Sequence, residues 1–136
     1  HQMKAEFPAL HISINGGITS LDQAVEHLDR GLDGVMVGRA AYHQPSDILC
    51  AADPRIFGTG EVSDPVEVVA QMLGYIDDEM AKGARLHQIT RHMLGLFAGR
   101  PGARNWRRVL SEGASRPGAG TELVEAALQQ VTGQAA

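Results

Sequence analysis

The chain has 136 residues, room for one domain of ordinary size or two small ones. Apolar residues make up 43% and charged residues 21%, which suits a packed core and excludes wholesale disorder. No run approaches the roughly 20 apolar residues that a membrane span needs. The opening residues His1-Gln2-Met3-Lys4 lack the hydrophobic stretch of a signal peptide. The single cysteine, Cys50, cannot form an internal disulfide or a structural zinc site, so a reducing, cytoplasmic setting is expected. Because the chain starts without methionine and soon enters a strand-like segment, it is expected to be part of a larger protein.

Leu10-His11-Ile12-Ser13-Ile14 alternates apolar and polar residues and ends at Asn15-Gly16-Gly17, the pattern of a strand and a tight turn. Ser20 and Gln23 have capping-box spacing, with Leu21, Ala24, Val25 and Leu28 following at helical intervals until Gly31. Gly34-Val35-Met36-Val37-Gly38 reads as a short strand buried on both faces of a parallel sheet. Strand, helix and strand make a βαβ unit with a right-handed crossover. Pro45 opens a short helix, and Asp53 to Gly60 is rich in turn formers and marks a boundary.

Beyond it the pattern is helical only. Asp64 and Pro65 start a helix whose inner face is Val66, Val69, Leu73, Ile76 and Met80, ended by Gly83. Leu86, Ile89, Met93, Leu96 and Phe97 predict a second helix, and Ala103 to Gly113 a third. Thr121 is expected to cap a last one, with Leu123, Val124, Ala127, Leu128 and Val131 inward. Four helices with short connections suggest a small antiparallel bundle. The expected division is therefore residues 1–60, α/β, and residues 61–136, all-α.

Two motifs can carry chemistry. Asn15-Gly16-Gly17 after one strand and Gly38-Arg39 after the next put bare N–H groups and a guanidinium at strand ends, a phosphate-binding arrangement. In (β/α)₈ barrels the loops after the last two strands often play this part. The second motif lies in Ala103 to Gly113. At ~100° per residue, Arg104, Arg107 and Arg108 share one helix face while Trp106, Val109 and Leu110 take the other. Trp106 is expected in the core. Charge is distributed accordingly: residues 1–81 hold four Lys/Arg and thirteen Asp/Glu, residues 82–116 eight Lys/Arg and one acid, Glu112. Such a split points to nucleic acid or to a solvated basic helix face. The histidines, His87 and His92 included, show no metal-ligand spacing, and no catalytic acid, base or nucleophile stands out. Cys50 reads as an inert buried thiol.

The segments Ser13 to Ile18, Asp33 to Tyr42, Ile56-Phe57-Gly58, Ile89 to Phe97 and Pro101 to Arg108 resemble the C-terminal portion of tRNA-dihydrouridine synthases of the A subfamily. The glycine motifs alone also suit other FMN-dependent barrels such as dihydroorotate dehydrogenases; the Arg104-x-x-Arg107 segment around Trp106 is more specific. The resemblance implies the last βαβα part of an FMN-binding (β/α)₈ TIM barrel followed by a helical tRNA-binding domain. It implies reduction of D-loop uridine to 5,6-dihydrouridine, with hydride passing from FMN to C6 of the uracil. NADPH recharges the flavin and a loop cysteine protonates C5. By motif, Asn15, Gly16, Gly17, Gly38 and Arg39 would hold the FMN phosphate, and Arg104 and Arg107, with Arg108 beside them, would contact tRNA. The barrel strands that cover the isoalloxazine and the cysteine loop have no counterpart here, and Cys50 does not take that role. The chain alone is thus expected to be inactive and to self-associate through, or be partly disordered in, its βαβ region. No metal and no membrane contact is expected. A non-catalytic tRNA-binding module is the alternative of another class.

Overall fold

A computed structural model describes residues 1–133. It divides into two units, one from His1 to Val62 and one beginning at Ser63. The first runs through helix α1 (Gln2–Glu6), strand β1 (Ser13–Asn15), helix α2 (Leu21–Asp29), strand β2 (Gly34–Met36), and two short helices, α3 (Arg39–His43) and α4 (Pro45–Ile48). A π-helical turn over Asp53–Phe57 follows and ends at Gly58, which has φ +64°.

The strands β1 and β2 pair in parallel, Ser13 opposite Gly34 and Asn15 opposite Met36. Side-chain chemistry just upstream sets this register. The Ile12 N–H donates to Asp33 Oδ2 at 2.9 Å and the Asp33 N–H returns a bond to the Ile12 carbonyl at 3.1 Å. Lys4 Nζ lies 2.7 Å from the same Asp33 oxygen and also donates to the Leu10 carbonyl. The Ile12 N–H, and after it Lys4, holds the Asp33 carboxyl below its ordinary 3.8. A Cβ at Gly34 would meet Ser13 Oγ, which would have to rotate away. Aligned ends follow: the chain leaves β1 at Asn15 and β2 at Met36, side by side.

Three expectations for this unit are corrected. The first strand is three residues long and begins at Ser13, because Leu10 to Ile12 are occupied by the Lys4 and Asp33 bonds. β2 is not buried on both faces: Met36 is 51% exposed and lines the open cleft at the strand ends. The capping box is also shifted. Ser20 Oγ accepts from the Gln23 N–H, but Gln23 Oε1 takes the N–H of Thr19 rather than that of Ser20. The core of this unit includes Ile18, Leu21, Ala24, Leu32 and Ile48, with Cys50 buried beside the end of α4 in sequence.

The second unit contains α5 (Pro65–Ala81), α6 (Leu86–Thr90), α7 (Ala103–Gly113) and α8 (Thr121–Thr132). α5 starts as expected, with Asp64 Oδ1 accepting from the Val66 N–H at 2.9 Å and Pro65 in the first turn, where no N–H is missed. α8 packs on α7 and α5. Val69, Ile76, Leu86, Phe97, Trp106, Leu110, Val124 and Ala127 form the heart of the core. The predicted second helix stops at Thr90, and residues 91–100 continue as successive tight turns. The turns close through i to i+3 bonds, the His92, Met93 and Leu96 N–H groups donating to the Ile89, Thr90 and Met93 carbonyls. Thr90 Oγ1 also donates back to the Leu86 carbonyl, and the Met93 carbonyl accepts the Trp106 indole N–H as well, at 3.1 Å. The buried Met93, Leu96 and Phe97 nevertheless face the core as the periodicity requires. Thr121 does not cap α8: its hydroxyl donates to Asp77 Oδ1 on α5, and Gly120 occupies the cap position.

Candidate functional site: a phosphate cleft and an arginine face

Parallel pairing brings the two glycine motifs together. The loops leaving β1 and β2 border one cleft of about 670 Å³, and all five sequence-predicted residues, Asn15, Gly16, Gly17, Gly38 and Arg39, line it. Gly16 and Gly17 have φ of +121° and +71°, conformations that side chains other than glycine's rarely accept. The backbone thus turns back at the strand end, and among the described residues no acceptor takes the N–H of Gly17 or Ile18. Arg39 is exposed at the cleft, and no carboxylate lies among the lining residues. Free amides, one guanidinium and no acid are a donor set for an oxyanion.

Thr19 and His43 also border the cleft, and the sequence alone did not single them out. His43 stands four residues after Arg39 on α3, the spacing of side chains sharing a helix face; that interval was the available signal.

The second unit presents the other motif. On α7, Ala103, Trp106, Leu110 and Gly113 are buried, while Arg104, Arg107 and Arg108 are exposed. None of the three arginines takes part in an ion pair among the described residues. Trp106 fixes the orientation of this face. It is fully buried, edge-on to Phe97 with ring centroids 5.0 Å apart, and its indole N–H is bound to the Met93 carbonyl. Gly102, at the cap of α7 with φ +81°, lies so close to Gln130 and Val131 of α8 that a Cβ would overlap the Gln130 carbonyl oxygen. The helix that carries the arginines is therefore held at both its start and its middle.

Among the described residues no group of three His, Cys, Asp or Glu is placed to hold a metal ion. No helix among them is long and apolar enough to cross a membrane.

The family profile described as dihydrouridine synthase (Dus) matches residues 1–132. Three similar relatives bear the name tRNA-dihydrouridine(20/20a) synthase. The Salmonella typhimurium protein is 56% identical over 132 residues, 96% of this chain and 39% of its own length. The Escherichia coli K12 and Shewanella oneidensis proteins are each 54% identical over 96% of this chain, which covers 38% and 39% of their respective lengths. This chain thus spans about two fifths of the relatives that it matches. With nearly every residue inside the profile, the chain belongs to the dihydrouridine synthase family.

Proposed function

We propose that this chain is the C-terminal part of a flavin-dependent tRNA-dihydrouridine synthase, a cytoplasmic enzyme that uses FMN and NADPH to reduce D-loop uridine to 5,6-dihydrouridine. The relatives' names point to positions 20 and 20a as the uridines concerned. In this reading β1, α2, β2 and the helices after them close a TIM barrel, and α5 to α8 form an antiparallel tRNA-binding bundle. The boundary between the two falls near residue 60.

The observation that carries the cofactor half is the convergence of Asn15, Gly16, Gly17, Gly38 and Arg39 on one acid-free cleft. These residues fit the phosphate of FMN. The turned backbone at Gly16 and Gly17 offers amides, and Arg39 supplies a fork of donors and a full positive charge. Bound FMN supplies hydride transfer, chemistry that no side chain performs. The part played by this chain is binding and orientation. Anchoring the phosphate between two loops on paired strands fixes one end of the cofactor, so that the ring end is positioned by the rest of the enclosure.

The α7 face carries the tRNA half. Arg104, Arg107 and Arg108 present three unpaired charges on a helix whose opposite side is locked in the core, a geometry suited to the phosphates of a folded RNA. Held rigidly, such a face orients the RNA as well as attracting it.

Leu49 and Phe57, which border one apolar cavity, are more than half exposed, and the first unit self-associates through them at high concentration. Sedimentation showing a monomer at all concentrations would refute that point.

The cofactor reading is tested by titrating the chain with FMN and with riboflavin, which lacks the phosphate. FMN binds more tightly, and Arg39→Ala removes the difference. Equal affinities in the wild-type chain would overturn the phosphate assignment. If such a chain still bound tRNA, the tRNA-binding module would be the better account.

A further inference from the structure

The second unit contains another concavity that neither the arginine face nor the phosphate cleft uses. It has a volume of about 410 Å³ and lies where the end of α5 and the start of α6 meet the segment after α7. Its polar lining is Arg85, His87, Ser115 and Arg116, with no carboxylate. Met80, Leu86 and Pro117 contribute apolar wall. Both arginines are exposed, and neither is in an ion pair among the described residues. The His87 ring has an unmet hydrogen bond as well: its Nδ1 is shut off from solvent and has no partner.

Two bare guanidiniums and an apolar wall describe a ligand that is anionic at one end and flat and largely apolar at the other. The volume falls within the usual range of roughly 300–1,000 Å³ for small-ligand sites. Position narrows the ligand further. α7 ends at Gly113 and Ala114 keeps helical dihedrals, so Ser115 falls within about 20° of Arg104 around the helix and about 16 Å along it. The face that carries Arg104, Arg107 and Arg108 therefore runs down α7 into this cleft.

We propose that the cleft seats one unstacked nucleotide of the RNA. Its phosphate lies between Arg85 and Arg116, and its base rests on the apolar wall to which Met80 and Pro117 contribute, with the His87 ring beside it. Single-stranded loops and bulges are where RNA can offer such a nucleotide, whereas a continuous duplex cannot. The inference rests on the reading that the helical unit binds tRNA, and it adds a second, shape-selective contact to the electrostatic one.

The test is a binding titration of the chain with transcribed tRNA and with a blunt RNA duplex, repeated for the Arg85→Ala/Arg116→Ala double variant. Circular dichroism and thermal melting check that the exposed substitutions leave the fold intact. Affinity for tRNA falls about tenfold and the salt slope flattens by about 0.7, while duplex affinity changes by less than about twofold. In nitrogen-15 spectra, the His87 imidazole shifts on adding tRNA to the wild-type chain and not on adding the duplex. Equal losses for both RNAs would overturn the seat in favour of a general basic surface. Unchanged tRNA affinity, with Arg104→Ala still weakening it, would overturn the proposal and leave the tRNA reading standing. A wild-type chain that binds no tRNA would overturn both.

Discussion

Trp106 should be the residue on which the arginine face most depends, although it never reaches the surface. It is fully buried, touches Phe97 edge-on, and its indole N–H donates to the Met93 carbonyl in a segment whose turns replace a regular helix. Trp106→Phe retains an aromatic ring but removes the indole N–H and part of the buried volume. The Met93 carbonyl keeps only its bond from the Leu96 N–H, and the lost bond and lost packing together cost about 1–3 kcal/mol. Trp106→Ala removes the ring as well and should cost about 3–5 kcal/mol. A unit of this size has a total stability on the order of 4–10 kcal/mol, so the alanine variant stands near the edge of folding. The phenylalanine variant should melt roughly 8–16 °C lower, taking about 2 kcal/mol as its loss. The assay is urea unfolding followed by far-ultraviolet circular dichroism, because Trp106 is the only tryptophan and its fluorescence disappears with it. A phenylalanine variant within about 0.5 kcal/mol of wild type would refute the role given to the indole bond.

Gly102→Ala combines a left-handed backbone with overlap on the Gln130 carbonyl, and should destabilise the second unit by about 2 kcal/mol or more. Wild-type unfolding midpoints in that variant would show that α7 and α8 adjust without cost. Asp33→Asn should raise hydrogen-exchange rates in β1 and β2 at neutral pH. The folded-state pKa of Asp33 is depressed, so its contribution is present above 3.8 and is lost as pH falls through the lower, folded value. Acid titration of exchange should therefore show the wild-type strands loosening only below about pH 4, with the Asn variant insensitive in that range. Loosening of both proteins at the same pH would assign the acid sensitivity elsewhere.

Legibility in the sequence followed the range of the forces involved. α7 was readable to the residue because its periodicity is strong and local: Trp106 and Leu110 fall on one side, three arginines on the other, and Gly102 stands before it. α5 was readable from Asp64 and Pro65. The break after Thr90 was not, and the turns that follow it also receive a bond from Trp106, thirteen residues beyond Met93. Thr121 looked like a cap and instead reaches across to Asp77, another long-range choice. The five residues at the strand ends were legible as two motifs, since glycines after apolar runs are conspicuous. That they border one cleft depends on the register set by Ile12 and Asp33, which carries no local signature. Arg85 and Arg116 were legible as extensions of the basic patch, but not that they border one cleft, because its walls come from segments about thirty residues apart.

The most direct test of the functional account is the salt dependence of tRNA binding for the wild-type chain and for Arg104→Ala/Arg107→Ala/Arg108→Ala. Three exposed arginines contacting phosphates should give the wild type a steep slope, and their loss should flatten it by about 2–3 in log K against log salt. Binding that persists in the triple variant with the same slope would show that α7 presents only a solvated surface, and the tRNA assignment of this unit would fall.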